Sequence, residues 1–308
     1  MSARAGPIVV VGAHCAGLFM HVSAVPREGE TVLGLGYEEP EDGGKATNQA
    51  IAAAYLGAPT VLVTVIGDDE RGRRALGFLE AAGVETRWVT EVAGATDVGF
   101  VMLPPSKIPA ITTAADRARA LDPRRVREAA EAIRTASLVV SQLEAPPEAA
   151  KTAFGIARDA GVHTLLNPAP AEELDDELLS LTDLLIPNEH EAAALLGIED
   201  EPAALAAGLV AHFAHLDVVV TAGAAGAFVA GRGRAVRHVP APSVDKVVDT
   251  TGAGDAFIGA LATRLRDGAD LEDAASFAVR VASFSVSRPG TIPTFALFKD
   301  VEANVQLA

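Results

Sequence analysis

From about residue 120 the sequence alternates between runs with a helical period and short apolar runs bounded by turn residues. The spacing predicts helices over 123–135 and 147–160 and strands over 138–141 and 163–166. It goes on to predict a strand over 181–186, helices over 189–196 and 202–212, and a strand over 218–221. A chain that repeats this unit lays its strands side by side through right-handed crossovers, which makes them parallel. Both faces of such a sheet are then covered by helices. Residues 227–230 and 235–239 read as a hairpin at the sheet edge, and helices over 252–266 and 271–287 follow. The first half adds strands over 7–12, 31–36 and 60–66, and an amphipathic helix over 71–82. Residues 98–103 and 108–113, joined by Pro104, Pro105, Ser106 and Lys107, read as a further hairpin. The expected fold is α/β, a central mostly parallel β-sheet flanked by helices, with a small β-sheet lid. Residues 1–12, 41–94 and 116–308 are expected to form the body, and 13–40 and 95–115 the lid.

The chain has 308 residues, 49% of them hydrophobic, enough for a large core. Its formal net charge of -16 argues against a nucleic-acid partner, which requires a basic face. An anionic ligand must therefore be held by backbone amides, a metal ion and a few local cations. One cysteine, Cys15, excludes an internal disulfide and fits a reducing compartment. The N-terminal apolar run is too short for a signal peptide or a membrane span, and no later run is long enough. A cytoplasmic protein with no membrane partner is expected.

Within this frame one stretch carries chemistry. Asp249, Thr250, Thr251, Gly252, Ala253, Gly254 and Asp255 lead directly into Ala256, Phe257 and Ile258, where helical periodicity begins. The first amides of a helix have no partner inside it and carry the positive end of its dipole. Glycine and alanine let a charged group approach those amides, so the turn is an anion site suited to phosphate. Asp255 in the same turn is also ordinary capping chemistry. Beside a bound anion, however, a carboxylate is costly unless it serves a purpose, such as taking a proton from an attacking hydroxyl. A second glycine-rich loop, Gly43, Gly44, Lys45, Ala46, Thr47, Asn48, Gln49 and Ala50, opens another helix. Other unusual stretches fall at predicted strand ends, where open α/β sheets bind ligands. They are Gly67-Asp68, Glu144-Ala145-Pro146, Asn167-Pro168-Ala169-Pro170, Pro187 to Glu191 and Thr221 to Gly226.

Together these loops resemble the signatures of the ribokinase-like (phosphofructokinase-B-type) carbohydrate kinases, and the resemblance runs from Gly12 to Thr294. It implies transfer of the γ-phosphoryl group of ATP to a sugar hydroxyl. Asp255 would be the general base, with the amides of Gly252, Ala253 and Gly254 holding charge on the transferring group. Asn188, Thr221, Gly223, Gly226 and Gly254 would border the nucleotide. Glu191, three residues after Asn188, would organise Mg2+ through water. Gly44, Lys45, Asn48 and Glu144 would contact the sugar. The resemblance also implies a K+ site at Asp249, Thr251, Ser285, Arg288, Gly290 and Thr294, and a homodimer formed through the lid.

The loop after the first strand departs from the pattern. The ribokinase branch is similar to Gly-Ser-x-Asn-x-Asp there, whereas this chain has Gly12-Ala13-His14-Cys15-Ala16-Gly17. Gly17 stands where a sugar-binding carboxylate is expected, and Cys15 where an asparagine is. Ala114-Ala115-Asp116 also departs from the usual Gly-Ala-Asn. Ribose or a related pentose is the expected acceptor. A nucleoside or a non-ribose polyol is the alternative, and a catalytically silent sugar- or nucleotide-binding protein is a further one.

Overall fold

The computed structural model describes residues 5–106, 110–114, 116, 118–171, 174–231, 233–297 and 299–300. Its strands in chain order are β1 (Ile8–Val11), β2 (Ala16–Val22), β3 (Gly34–Glu38), β4 (Thr60–Gly67), β5 (Val89–Val92), β6 (Val98–Leu103) and β7 (Ala110–Ala114). They continue with β8 (Leu138–Gln142), β9 (His163–Asn167), β10 (Leu184–Leu185), β11 (Asp217–Thr221), β12 (Ala227–Ala230) and β13 (Arg237–Val239). The helices are α1 (Gly44–Tyr55), α2 (Glu70–Ala81), α3 (Pro123–Glu128), α4 (Ala130–Arg134) and α5 (Pro147–Asp159). After them come α6 (Asp176–Ser180), α7 (Glu189–Leu196), α8 (Pro202–His212), α9 (Ala253–Arg266) and α10 (Leu271–Ser285).

All four residues of β1 are apolar and buried. A strand without a polar face belongs inside a sheet covered on both sides. It lies there, paired in parallel with β4 on one side and β8 on the other. Alternate side chains then feed two cores. Ile8 and Val10 pack in the layer that includes α1, α9 and α10, and Val9 and Val11 in the layer that includes α3, α5 and α8. The large sheet has the order β13-β12-β11-β10-β9-β8-β1-β4-β5, with β12 running antiparallel to both β11 and β13. From β1 the chain winds outward through β4 and β5, and from β8 it winds the other way. The reversal between β1 and β8 creates the crevice where such sheets take their ligands.

A separate mixed sheet has the order β3-β2-β6-β7, joined by one parallel and two antiparallel pairings. The body helices α1 and α9 pack closely because Gly259 lacks a side chain. A Cβ there would meet Ala52 Cβ at 2.6 Å and Ala53 N at 2.8 Å. Among the described residues no helix is long and apolar enough to cross a membrane.

The expected α/β architecture with a small second sheet is observed, and local differences have physical causes. Strand β2 lies in a segment without a clear period; its partner β6 is far away in sequence, so the pairing leaves no local trace. The strand expected over 31–36 is shifted to Gly34–Glu38, where it pairs with β2. The helix expected over 123–135 is divided at Ala129. Residues 181–186 shrink to the two-residue β10, because α6 runs to Ser180 and Leu181 forms its C-terminal cap. Lys107, Ile108 and Ala115 lie outside the described residues.

Candidate active site

Helix α9 starts at Ala253 and is capped by Gly252 at φ 75°. That conformation favours glycine, and a Cβ there would also stand 2.5 Å from Thr291 Cγ2. The Ala253 amide makes a long 3.3 Å bond to the Thr250 carbonyl, and Ala256 N–H reaches the Gly252 carbonyl at 2.8 Å. The amides of Gly254 and Asp255 lie between them in the first turn, where no carbonyl of a preceding helical turn exists to accept. Gly254 is exposed, with open space around it. Of the amides expected to hold an anion, that of Ala253 is partly engaged, while Gly254 lies in open space.

Asp255 is oriented by α1. Its Oδ2 accepts from Asn48 Nδ2 at 3.2 Å and its Oδ1 from Gln49 Nε2 at 3.0 Å. Gln49 also donates to Asn167 Oδ1 at 3.2 Å, and its own oxygen accepts from Gln142 Nε2. Asn167 in turn donates to the Ile186 carbonyl at 2.9 Å. A relay of buried amides thus fixes Asp255 to the ends of β8 and β9. Burial raises the Asp255 pKa, and Lys45 and the two amides oppose that rise.

The second glycine-rich loop brings Gly44, Lys45 and Asn48 to the same place. Lys45 N–H donates to Glu144 Oε2 at 2.8 Å. Burial disfavours the Lys45 ammonium, but Glu144, Asp255, Glu191 and Asp42 outweigh it, and its pKa rises. Burial lifts the Glu144 pKa to about 7, against the pull of Lys45. Asn48 also serves a second carboxylate. Its Nδ2 donates to Asp42 Oδ1 at 2.8 Å, while its Oδ1 accepts from the Gly43 amide at 3.1 Å. Burial lifts the Asp42 pKa to about 6, Asn48 opposes this, and Asp255 adds to it. Asp42 and Gln49 are site residues that sequence reasoning missed. Gln49 lies within the second glycine-rich loop motif, and Asp42 directly precedes its first glycine.

Asn188 caps α7 through the Glu191 amide at 2.8 Å, and Glu191 Oε2 returns the bond to the Asn188 amide at 2.8 Å. This capping box fixes Glu191, only 8% exposed, within the electrostatic reach of Lys45. Thr221 N–H bonds the Pro187 carbonyl at 3.0 Å, placing Thr221 beside Asn188. After it the chain makes a 3-10 turn with Gly223 at φ 49° and Gly226 at φ 93°. Gly223 faces open space, whereas a Cβ on Gly226 would meet the Val239 carbonyl at 2.1 Å. Among the described residues no group of three or more His, Cys, Asp or Glu forms a metal cage.

Asp249, Thr251 and Gly290 are brought together. Asp249 Oδ1 accepts from the Thr251 amide and hydroxyl at 2.9 and 2.8 Å, and Oδ2 from the Gly290 amide at 3.0 Å. The Ser285 and Thr294 hydroxyls donate to carbonyls of their own turns, at Ala282 and Thr291. The Arg288 guanidinium lies 4.2 Å over the Phe284 ring. These side chains are thus already engaged, and the Ser285 carbonyl accepts from the Arg288 amide at 3.2 Å. Nearby, a cleft of about 500 Å³ opens between the small sheet and the loops at 248–249 and 289–293, lined by Phe19, His21, Leu103, Asp249, Gly290 and Pro293 among others.

A helix N-terminus open to an anion, a carboxylate held beside it by two amides, and a cleft beneath a small sheet together define a small-molecule phosphotransferase. The family of pfkB carbohydrate kinases matches residues 8–296, and the chain belongs to it. The chain is 36% identical over 284 residues to the ribokinase of Haemophilus influenzae, covering 89% of this chain and 92% of that one. It is 35% identical over 290 residues to a deoxyribokinase of Salmonella typhi, covering 92% and 94%. A bifunctional ribokinase/ribose-5-phosphate isomerase A of Fructilactobacillus sanfranciscensis is 38% identical over 295 residues; the match covers 93% of this chain but only 54% of that protein. Among solved structures, Arabidopsis thaliana ribokinase complexed with ribose and ATP superposes with a TM-score of 0.90 at 28% identity, covering 99% of this chain and 100% of that one.

Proposed function

We propose that this carbohydrate kinase transfers the γ-phosphoryl group of ATP to a hydroxyl of a small sugar, ribose or a related pentose, with Asp255 as general base. The observation that carries this reading is the placement of Asp255, held by Asn48 and Gln49 at the mouth of the α9 N-terminus. The sugar hydroxyl gives its proton to the Asp255 carboxylate as its oxygen bonds the γ-phosphorus, and the bond to the leaving ADP oxygen breaks. The first-turn amides and Lys45 stabilise charge spread over the transferring group. Solved ribokinase structures described with ribose and ATP, and with ADP, support ATP as the donor.

Thr221, Gly223 and Gly226 form a turn whose open backbone suits phosphates and ribose, next to Asn188. Glu191 keeps one carboxylate oxygen outside the capping box. It would hold Mg2+ through water, as this ion retains several waters and takes phosphate oxygens as ligands; the ion supplies charge neutralisation on the phosphates. Oxygen atoms of Asp249, Thr251, Ser285, Arg288, Gly290 and Thr294 would hold K+ against the catalytic turn. Gly44, Lys45, Asn48 and Glu144 contact the sugar. The small sheet closes over it as a lid, and its exposed Leu35 and Ile111 side chains, 68% and 58% accessible, support a homodimer through that sheet.

A second reading, a kinase for another acceptor such as a deoxy sugar, a nucleoside or a polyol, is favoured by Gly17 and Cys15 in the first loop. ADP release with Mg-ATP and potassium, measured across pentoses, deoxyribose, fructose, polyols and nucleosides, separates the two. Asp255→Asn should retain ATP binding and lose turnover by about 10²-fold or more. Near-normal turnover in that variant would defeat the assignment. Replacing potassium by choline should lower the rate, and an unchanged rate would remove the cation site from this reading.

A further inference from the structure

The geometry points to Asp42 as the carboxylate that grips the acceptor's hydroxyls, taking the place of the side chain that Gly17 lacks. This rests on the sugar-kinase reading above and names the residue that sets its acceptor.

Gly17 lies on β2, and a Cβ built there would stand 2.4 Å from Asp42 Oδ2 and 2.8 Å from Asp42 Cβ. The first distance matches the span from Cβ to carboxylate oxygen within any aspartate. Asp42 Oδ2 therefore stands at the distance an oxygen of an aspartate at position 17 would reach. The two positions cannot both carry a carboxylate in this backbone. The loops that bear them are joined, Cys15 N–H to the Gly43 carbonyl at 2.9 Å and Gly17 N–H to the Asp42 carbonyl at 3.4 Å. A missing side chain on one loop is thus filled by a charged one from the next.

The charge itself needs an explanation. Asp42 is half-buried and shares one amide, Asn48 Nδ2, with the proposed base Asp255. Among the described ion pairs none involves Asp42. Two carboxylates this close repel each other. A merely structural acceptor for Asn48 needs no charge, since an amide oxygen serves as well. A carboxylate beside the base, with more lone pairs than Asn48 and the Thr291 hydroxyl use, is suited to adjacent hydroxyls of a polyol. The bond to Asn48 couples acceptor binding to the amide that also orients Asp255.

The test uses the purified protein and the acceptor that it phosphorylates fastest. Asp42→Asn keeps the acceptor for Asn48 and removes the charge. Its sugar KM should rise about tenfold or more, in keeping with the loss of a charged hydrogen bond, while the KM for ATP stays near wild type and the melting temperature does not fall. The paired exchange Asp42→Gly with Gly17→Asp should recover most of the sugar affinity. A sugar KM within twofold of wild type in Asp42→Asn overturns the proposal. A fall in kcat at unchanged sugar KM also overturns it, because Asp42 then only positions Asn48 and Asp255. Wild-type protein that phosphorylates no sugar overturns the functional reading as well, which separates the two failures.

Discussion

Asp255 is held by two amides and faced by one cation, Lys45, and this choice has consequences. An ion pair in contact would hold the carboxylate charged but weakly basic. The amides orient it while burial keeps its pKa raised, which suits the proton-accepting role proposed for it. Gln49 is the hinge of this arrangement because it serves Asp255, Asn167 and Gln142 together. Gln49→Leu should lower kcat about tenfold or more with little change in the KM for ATP, and lower the melting temperature by several degrees. The thermal loss follows from stranding buried polar partners, at about 1–3 kcal/mol each. Steady-state kinetics and a melting curve check both. Asp255 was legible in the sequence because its loop combines small residues, a helix start and a carboxylate. Gln49 was not, since one polar residue on an Ala-rich helix says nothing of its neighbours. Asp42 was hidden for another reason: its meaning depends on the absence of a side chain at Gly17, far back in the chain.

At the level of helices and strands, the periodic segments were readable and the pairings across the chain were not. Helices α7 and α8 and strand β12 have the bounds their periodicity implies. Strands β2 and β5 escaped because each is defined by a distant partner, β6 and β4 respectively. Helix starts do two kinds of work here. Asp270 caps α10 by accepting from the Asp273 amide at 2.9 Å, at an exposed position. Asn188 caps α7 while its partner Glu191 faces Lys45. Asp270→Ala and Asn188→Ala should each cost about 1 kcal/mol of stability. Only Asn188→Ala should also raise the Mg2+ concentration needed for half-maximal rate, which a metal titration of the two variants would show. Equal metal dependence would assign Asn188 to capping alone.

Across the molecule, the site concentrates carboxylates whose pKa values burial has raised, Asp42 to about 6 and Glu144 to about 7. Such groups bind protons more tightly when folded than when unfolded. Their stabilising contribution is complete below about pH 4 and is lost as pH rises to about 7. Carboxylates held low by partners, such as Asp175 beside Lys151, act in the opposite sense at the acid end. Glu144→Gln isolates the first effect. Its melting temperature relative to wild type should climb between pH 5 and pH 8, and a constant difference would count against the raised pKa.

The close contact of α1 and α9 at Gly259 has a consequence for which substitutions can disturb Asp255. The two helices carry Asp255, its orienting amides and the turn at Gly252 on one unit within the body. The small sheet β3-β2-β6-β7 is separate from that unit. Substitutions in the small sheet should therefore leave the bonds from Asn48 and Gln49 to Asp255 in place, whereas removing the Asp42 carboxyl, which shares Asn48 with Asp255, should disturb them.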